Sequence, residues 1–196
     1  MSHLDTEERN HAEHLPPRRR VQFVGGRLAM RALLDESAVA SWAVLSLSSG
    51  APLLPPGFTG SISHTKGLAV AILARGDHGL GIDVEDVTRC CRDVGRHVLC
   101  DDEREALAGL SESERWSQTL LRFSHKESLY KALNPLLGRW IGFRELAVWP
   151  RDDGTADVDS RADDLSQFPL EAAWLTVDRW ILTTAVARRQ GGALTR

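Results

Sequence analysis

The sequence predicts a mixed α+β protein, on three observations. Two stretches, about 18–36 and 111–133, show the spacing and capping signals of long helices. Between and after them stand short runs rich in β-branched and aromatic residues, bounded by Gly, Pro and Ser clusters. Each half of the chain holds helix material and a few strands. A duplicated architecture is therefore compatible with the sequence, although no sequence repeat is visible.

Taken in order, residues 1–17 read as a flexible tail, because Met1 to His14 is polar and terminal. Pro16-Pro17 precede a helix from about Arg18 to Glu36, with Val21, Val24, Leu28 and Ala32 as its expected core stripe. Arg18, Arg19, Arg20, Arg27 and Arg31 crowd this helix. A solvated basic face is one reading; an anion-binding face is the sharper one, since guanidinium forks match phosphate oxygens. Ser41 to Leu47 reads as a strand and Ser48 to Gly57 as a loop. Phe58 to Gly67 reads as a strand and turn, and Leu68 to Leu73 as a buried strand or short helix. Within it, Ser61, Ser63 and Thr65 leave room for a bulky anion beside His64. Gly76 to Gly79 is a hairpin-type connection into the next strand.

Val87 to Cys100 gives no clear pattern. Asp101-Asp102-Glu103 opens a helix reaching about Leu110, its acids favoured by the helix dipole. Ser111 and Glu114 form a Ser-x-x-Glu capping box for the second long helix, which is expected to end before Asn134-Pro135. Strands follow at Leu146 to Trp149, Glu171 to Val177 and Trp180 to Ala187, with Arg151 to Ser166 as a flexible connection. The expected units are thus 18–100 and 101–190, with a tail at 191–196.

Bulk properties exclude several classes. The chain has 196 residues, 42% apolar and 26% charged, enough for a real core. A net charge of −3 supplies no field that argues for nucleic acid. No apolar run approaches the ~20 residues that span a bilayer, and the N-terminal stretch lacks the apolar centre of a secretory signal, so a cytoplasmic location is expected. Cys90, Cys91 and Cys100 form neither a disulfide framework nor a zinc pattern.

The chemistry gathers on two segments. In Gly81-Ile82-Asp83-Val84-Glu85 the β-branched residues favour a strand, placing Ile82 and Val84 toward a core and Asp83 and Glu85 together on the other face. Two adjacent carboxylates repel unless a cation relieves them, and a hard divalent ion with oxygen ligands, Mg²⁺ above all, suits the pair. An edge strand with a solvated acidic face is the plain alternative. On the second long helix, Glu127 and Lys131 are four apart and share a face with Leu120 and Phe123. Glu127 therefore stands on an apolar stripe, where a carboxylate needs a cation or hydrogen bonds. A surface Glu–Lys pair is the plain alternative here.

Three segments together resemble a known family. Gly60-Ser61-Ile62-Ser63-His64, Gly81-Ile82-Asp83-Val84-Glu85 and Phe123-Ser124-x-Lys126-Glu127-Ser128-x-x-Lys131 are similar to motifs of the 4′-phosphopantetheinyl transferases, in the branch of the enterobactin and surfactin synthetase activators. The basic segment from Arg19 to Arg27 and Gly138-Arg139-Trp140-x-Gly142-Phe143 resemble further motifs, so the resemblance covers about 18–187. It implies a pseudo-twofold single chain of two similar α+β halves, each with a small antiparallel sheet and a long helix, and an active site between them. It implies transfer of phosphopantetheine from coenzyme A to a serine of an acyl or peptidyl carrier domain. By motif match, Asp83, Glu85 and Glu127 would bind Mg²⁺, with Mn²⁺ as the alternative. His64 and Arg27 would contact coenzyme A phosphates, with Arg19, Arg20 and Ser63 as further candidates, and Lys131 would contact the pyrophosphate. The proton acceptor would be Glu127 or a water on the metal. A monomer is implied, with neither nucleic acid nor membrane as partner.

The sequence also departs from the family pattern. Gln22 stands where many relatives carry Glu, the loop from Ser49 to Pro55 lacks the usual basic residue and Trp, and His125 replaces a small residue. Two other functions stay open on this ground: an enzyme of the same fold redirected to other coenzyme A or carrier chemistry, and a non-catalytic binding module.

Overall fold

A computed structural model gives the fold over residues 4–39, 42–88 and 94–190. Ser41, Cys90, Cys91 and the expected tail at 191–196 lie outside the described residues. The architecture is α+β, as the sequence predicts: a two-stranded and a five-stranded antiparallel sheet, and two long helices.

The N-terminal half begins with a correction. Residues 5–13 are not a loose tail but a helix, α1 (Thr6–Glu13), capped at Asp5. The Glu8 carboxylate returns to the Asp5 N–H at 2.8 Å, which makes Asp5-x-x-Glu8 a capping box. Helix α2 (Pro17–Glu36) follows, with proline in its first turn, where a missing N–H costs nothing. Its core face is also not the expected one. Phe23, Gly26, Arg27, Met30 and Leu34 are buried, whereas Val21 is 73% and Leu28 37% exposed. Both stripes fit the helical period, and the shape of the sheet beneath decides between them. Gly26 lies directly over Ile62, and Met30 over Gly60.

The strand expected at Ser41 to Leu47 is reduced to a single bridge, Ser46 to Pro52. Strands β1 (Phe58–Thr65) and β2 (Leu68–Arg75) form a hairpin around Gly67, whose φ of 86° suits glycine. The next strand, β3 (Gly79–Asp86), does not continue that hairpin. It pairs with the last strand of the chain, β7 (Trp180–Ala187), with Asp83 opposite Thr183.

After β3 come α3 (Gly95–Val98), α4 (Asp101–Ala106) and the long α5 (Glu112–Leu137), with the Ser111–Glu114 capping box in place. Helix α5 runs through Pro135 and stops at Gly138 in the left-handed region, φ 68°. It thus passes the expected end at Leu133; proline inside the last turn removes only one carbonyl's partner. The span 151–166 is likewise not just a connection. It contains β5 (Thr155–Ser160), between β4 (Leu146–Pro150) and β6 (Leu170–Val177). Its acids hide the strand pattern because they find partners on and beside β4: Asp157 with Arg151, just past the end of β4, and Asp159 accepting from the Trp149 indole at 2.7 Å.

A duplication invisible in the sequence shows in the hydrogen bonds. Arg20 donates to the carbonyls of Ala12, Glu13 and Leu15. Arg115 donates in the same pattern to Leu107, Ala108 and Leu110. Buried Glu8 accepts from Asp5 N, Val44 N and the Arg31 guanidinium, each at 2.8 Å. Buried Glu103 accepts from Cys100 N at 2.7 Å, Val148 N at 2.9 Å and the Lys126 ammonium at 2.6 Å. The hairpin of β6 and β7 repeats the length and register of β1 and β2. Each half is therefore a short helix, a long helix and an antiparallel hairpin, tied by one buried glutamate.

Candidate active site

Helix α5 lies close against β3. A Cβ on Gly81 would fall 1.8 Å from the Ser128 carbonyl oxygen, so only glycine lets the helix backbone approach there. The next outward residue on that face is Asp83, and α5 at that level presents Ser124. Asp83 is 4% exposed and held from three sides. Ser63 of β1 donates to Oδ1 at 2.8 Å, Lys131 of α5 donates to the same oxygen at 2.8 Å, and Ser124 donates to Oδ2 at 2.9 Å. Thr183 of β7 donates to the Ser124 carbonyl at 2.8 Å and shares a hydroxyl contact with Ser124 at 3.0 Å. Asp83 thus joins β1 of the first half to α5 of the second.

Around it the sequence candidates converge in part. Glu127 is half-buried, and burial first, then the Asp83 carboxylate, hold it above the usual carboxylate range, with Lys131 opposing. Lys131 directs its ammonium to Asp83 and to the Ile82 carbonyl at 2.9 Å, so its ion pair crosses to β3 instead of closing along the helix onto Glu127. His64 is held below its ordinary value by partial burial, then by Lys131 and Arg19, against the pull of Asp83. Lys131, Arg19 and Asp83 thus lie within electrostatic reach of the His64 ring, and the two cations favour its neutral form. Glu85 is half-buried two residues along the Asp83 face of β3.

Other candidates make contacts within the fold. Ser63 is buried and donates to Asp83, so it positions the acid. Arg20 is engaged by the turn between α1 and α2. Arg27 is buried, donating to the Val44 carbonyl at 2.8 Å and to Ser46 Oγ at 2.6 Å, with its guanidinium 4.1 Å from the Phe23 ring. Ser124 and Thr183 are neighbours of the buried acid that the sequence reading did not single out. Ser124 lies inside the recognised motif, but Thr183 needs the β3–β7 register to be seen.

Among the described residues, no three His, Cys, Asp or Glu side chains already stand as a metal-holding group. The donor chemistry nevertheless suits a hard cation: Asp83, Glu85 and Glu127 are all carboxylates, and Glu127 is raised first by burial and then by the charge of Asp83.

A buried acid gripped from both halves, with a second acid raised beside it and Lys131 reaching across, describes a two-half α+β protein with a cluster of ionisable groups at its junction. The chain belongs to the 4′-phosphopantetheinyl transferase superfamily. Residues 79–185 match that superfamily, and residues 7–74 match the 4′-phosphopantetheinyl transferase N-terminal domain. The chain is 37% identical to 4′-phosphopantetheinyl transferase Svp of Streptomyces mobaraensis, over 79% of this chain and 65% of that protein. It is 31% identical to Npt of Nocardia iowensis, over 85% of this chain and 81% of that protein. It is 30% identical to PptT of Mycobacterium tuberculosis, over 70% and 61%. The matched region thus spans less than two thirds of the Streptomyces and Mycobacterium proteins.

Proposed function

We propose that the chain is a 4′-phosphopantetheinyl transferase that moves phosphopantetheine from coenzyme A to a serine of an acyl or peptidyl carrier domain. The observation that carries this reading, beside the family, is Glu127 raised by burial and by Asp83, with Lys131 reaching across to Asp83. The serine oxygen attacks the phosphorus bearing the pantetheine arm, the pyrophosphate P–O bond breaks, and adenosine 3′,5′-bisphosphate leaves. Glu127 takes the hydroxyl proton, and a carboxylate with raised affinity for protons suits that task near neutral pH. Arg19, His64 and Lys131 hold the phosphates, and Lys131 offsets the charge that develops on the leaving side. Asp83, Glu85 and Glu127 would hold Mg²⁺ or Mn²⁺, which when bound neutralises the pyrophosphate. Both sides of the site come from one chain, which suits a monomer. The net charge of −3 supplies no field for nucleic acid, and among the described residues no helix is long and apolar enough to cross a membrane. This reading takes the cytoplasm as the working compartment.

The test is transfer itself. With coenzyme A, Mg²⁺ and an apo carrier domain, the carrier is expected to gain one phosphopantetheine by mass spectrometry. Glu127→Gln, which keeps the shape and removes the base, is expected to slow single-turnover transfer by at least ~100-fold. Carriers that stay unmodified under these conditions, or a Glu127→Gln protein at the parent rate, would contradict the reading.

A further inference from the structure

Helix α2 carries a stripe that turns away from its own core. Arg18, Val21, Gly25, Leu28, Ala32 and Asp35 follow one another at alternating steps of three and four residues, so they share one face of the helix. The buried side of Phe23, Arg27, Met30 and Leu34 lies opposite. Val21 is 73% and Leu28 37% exposed, Arg18, Ala32 and Asp35 are exposed, and Gly25 is half-buried beside Ala69 of β2. The other half of the molecule treats the matching positions differently. Glu8 and Glu103, Arg20 and Arg115, and Arg31 and Lys126 each stand 95 positions apart. On that offset Val21, Gly25 and Leu28 correspond to Trp116, Leu120 and Phe123 of α5. Those three are covered: Leu120 is buried with Ile181, Trp116 and Trp174, and Phe123 rests on Phe143, ring centroids 5.7 Å apart. The shared plan thus covers the stripe in one half and leaves it open in the other, among the described residues.

The charges of α2 also run against its own dipole. Arg18, Arg19 and Arg20 occupy the first turn and Asp35 and Glu36 the last, whereas a helix favours acids at its start and bases at its end. Arg20 is used by the turn before α2, and Arg19 lies near His64. Arg18 and Asp35 make no side-chain hydrogen bond or ion pair among the described residues. One arrangement accounts for both ends and for the stripe between them. Turned about a two-fold axis passing between Gly26 and Arg27, the stripe meets itself in antiparallel. Arg18 then faces the partner's Asp35, Val21 the partner's Ala32, and Gly25 the partner's Leu28. Each charge meets its opposite, and each large apolar side chain meets a small residue that leaves room for it. A patch with this property is complementary to its own copy, as a two-fold interface requires.

We propose that this face of α2 is a self-association surface, on which a second copy of the chain docks its own α2 in antiparallel. Arg19 and Arg27 project off the stripe, so each copy keeps a whole site. One chain still suffices for the chemistry, and pairing is a separate, concentration-dependent step. It does not depend on the transferase reading. With Val21 and Leu28 as its large apolar contacts, the interface is small and belongs to the weak, reversible class.

The test is sedimentation velocity on the full chain across rising concentration, with thermal melting of each variant to confirm folding. The parent is expected to pass from monomer to dimer as its concentration rises into the high micromolar range. Arg18→Glu and Asp35→Arg each turn two attractive contacts into two repulsive ones, and each is expected to raise the dimer dissociation constant roughly tenfold. Combining Arg18→Glu with Asp35→Arg restores opposite charges and is expected to return the constant toward the parent value. Leu28→Glu is expected to abolish the dimer. A parent that stays monomeric at every concentration overturns the proposal, as does a dimer equally strong in Arg18→Glu and Leu28→Glu. A combined variant no tighter than the single ones overturns the antiparallel register.

Discussion

His125 sits inside the catalytic motif, fully buried, with neither ring nitrogen hydrogen-bonded to the described residues. Burial first, and then the nearby Arg122, push its pKa down to about 4. The folded protein therefore resists protonating this ring, while the unfolded chain accepts a proton near pH 6.5. Between those values the unfolded state binds more protons, so stability is full above pH 6.5 and falls as the pH drops toward 4. The loss by pH 4.5 is on the order of 2–3 kcal/mol. His125→Leu is expected to remove that component, so the difference in Tm between pH 7.5 and pH 4.5 shrinks relative to the parent. Melting curves with the same pH dependence in both proteins would contradict this account. The sequence marked His125 as a departure from the family; its burial shows that the change faces the core. Ser124, one position before it, is the donor to Oδ2 of Asp83. Ser124→Ala removes a hydrogen bond to a charged acceptor, worth about 1.5–3 kcal/mol. It is expected to lower Tm and to slow transfer together. Thr183→Ser keeps the hydroxyl that steadies Ser124, and is expected to leave both near the parent values.

At the scale of elements, each half is fastened by one glutamate at the third position of a short helix, but the two fastenings differ in depth. Glu103 and Lys126 are at 0% and 1% side-chain exposure, whereas Arg31, the partner of Glu8, keeps 17%. Removing one charge from a fully buried pair strands the other, at about 3–5 kcal/mol, while a partly hydrated guanidinium recovers part of that from water. Glu103→Gln is therefore expected to lower the denaturant midpoint more than Glu8→Gln, with both well below the parent. Equal midpoints for the two variants would remove the distinction. The fastening also explains what the sequence concealed. Glu8 lies in a polar stretch that reads as a tail, and its Asp-x-x-Glu signal is short. What stabilises α1 is the reach of Glu8 to Val44 and Arg31, contacts that span the chain and leave no periodic trace. On α2 two stripes satisfy the same period, so the sequence alone does not say which faces the sheet; Gly26 over Ile62 and Gly60 beneath Met30 decide it. The long helix α5, β3 and β7 were legible because their signals are local: a capping box, a β-branched alternation and a run of β-branched residues opened by Trp180.

At the scale of the molecule, the halves share one plan but not one core. Among the described residues, the C-terminal half buries a large apolar cluster from Leu129 and Leu133 of α5 to Ala185 and Ala187 of β7. The N-terminal half has a cluster of only Met30, Leu34 and Val44, with half-buried neighbours. Its sheet has two strands, and β2 is half-covered along most of its length. The strand that carries Asp83 belongs by hydrogen bonding to the larger sheet, so the acid rests on the better-packed half. Ser63, its partner at 2.8 Å, rests on the other. Opening free energies follow buried apolar packing, so amides in α1, α2, β1 and β2 are expected to exchange with solvent faster than those in α5, β3 and β7. Coenzyme A, if it engages Arg19 and His64 from one half and Lys131 from the other, links the two and slows exchange most in the N-terminal elements. Hydrogen exchange with and without coenzyme A checks both parts. Uniform protection across the halves in the free protein would mean that they open as one unit. Ligand protection confined to α5 would place coenzyme A on the C-terminal half alone and remove Arg19 and His64 from its binding.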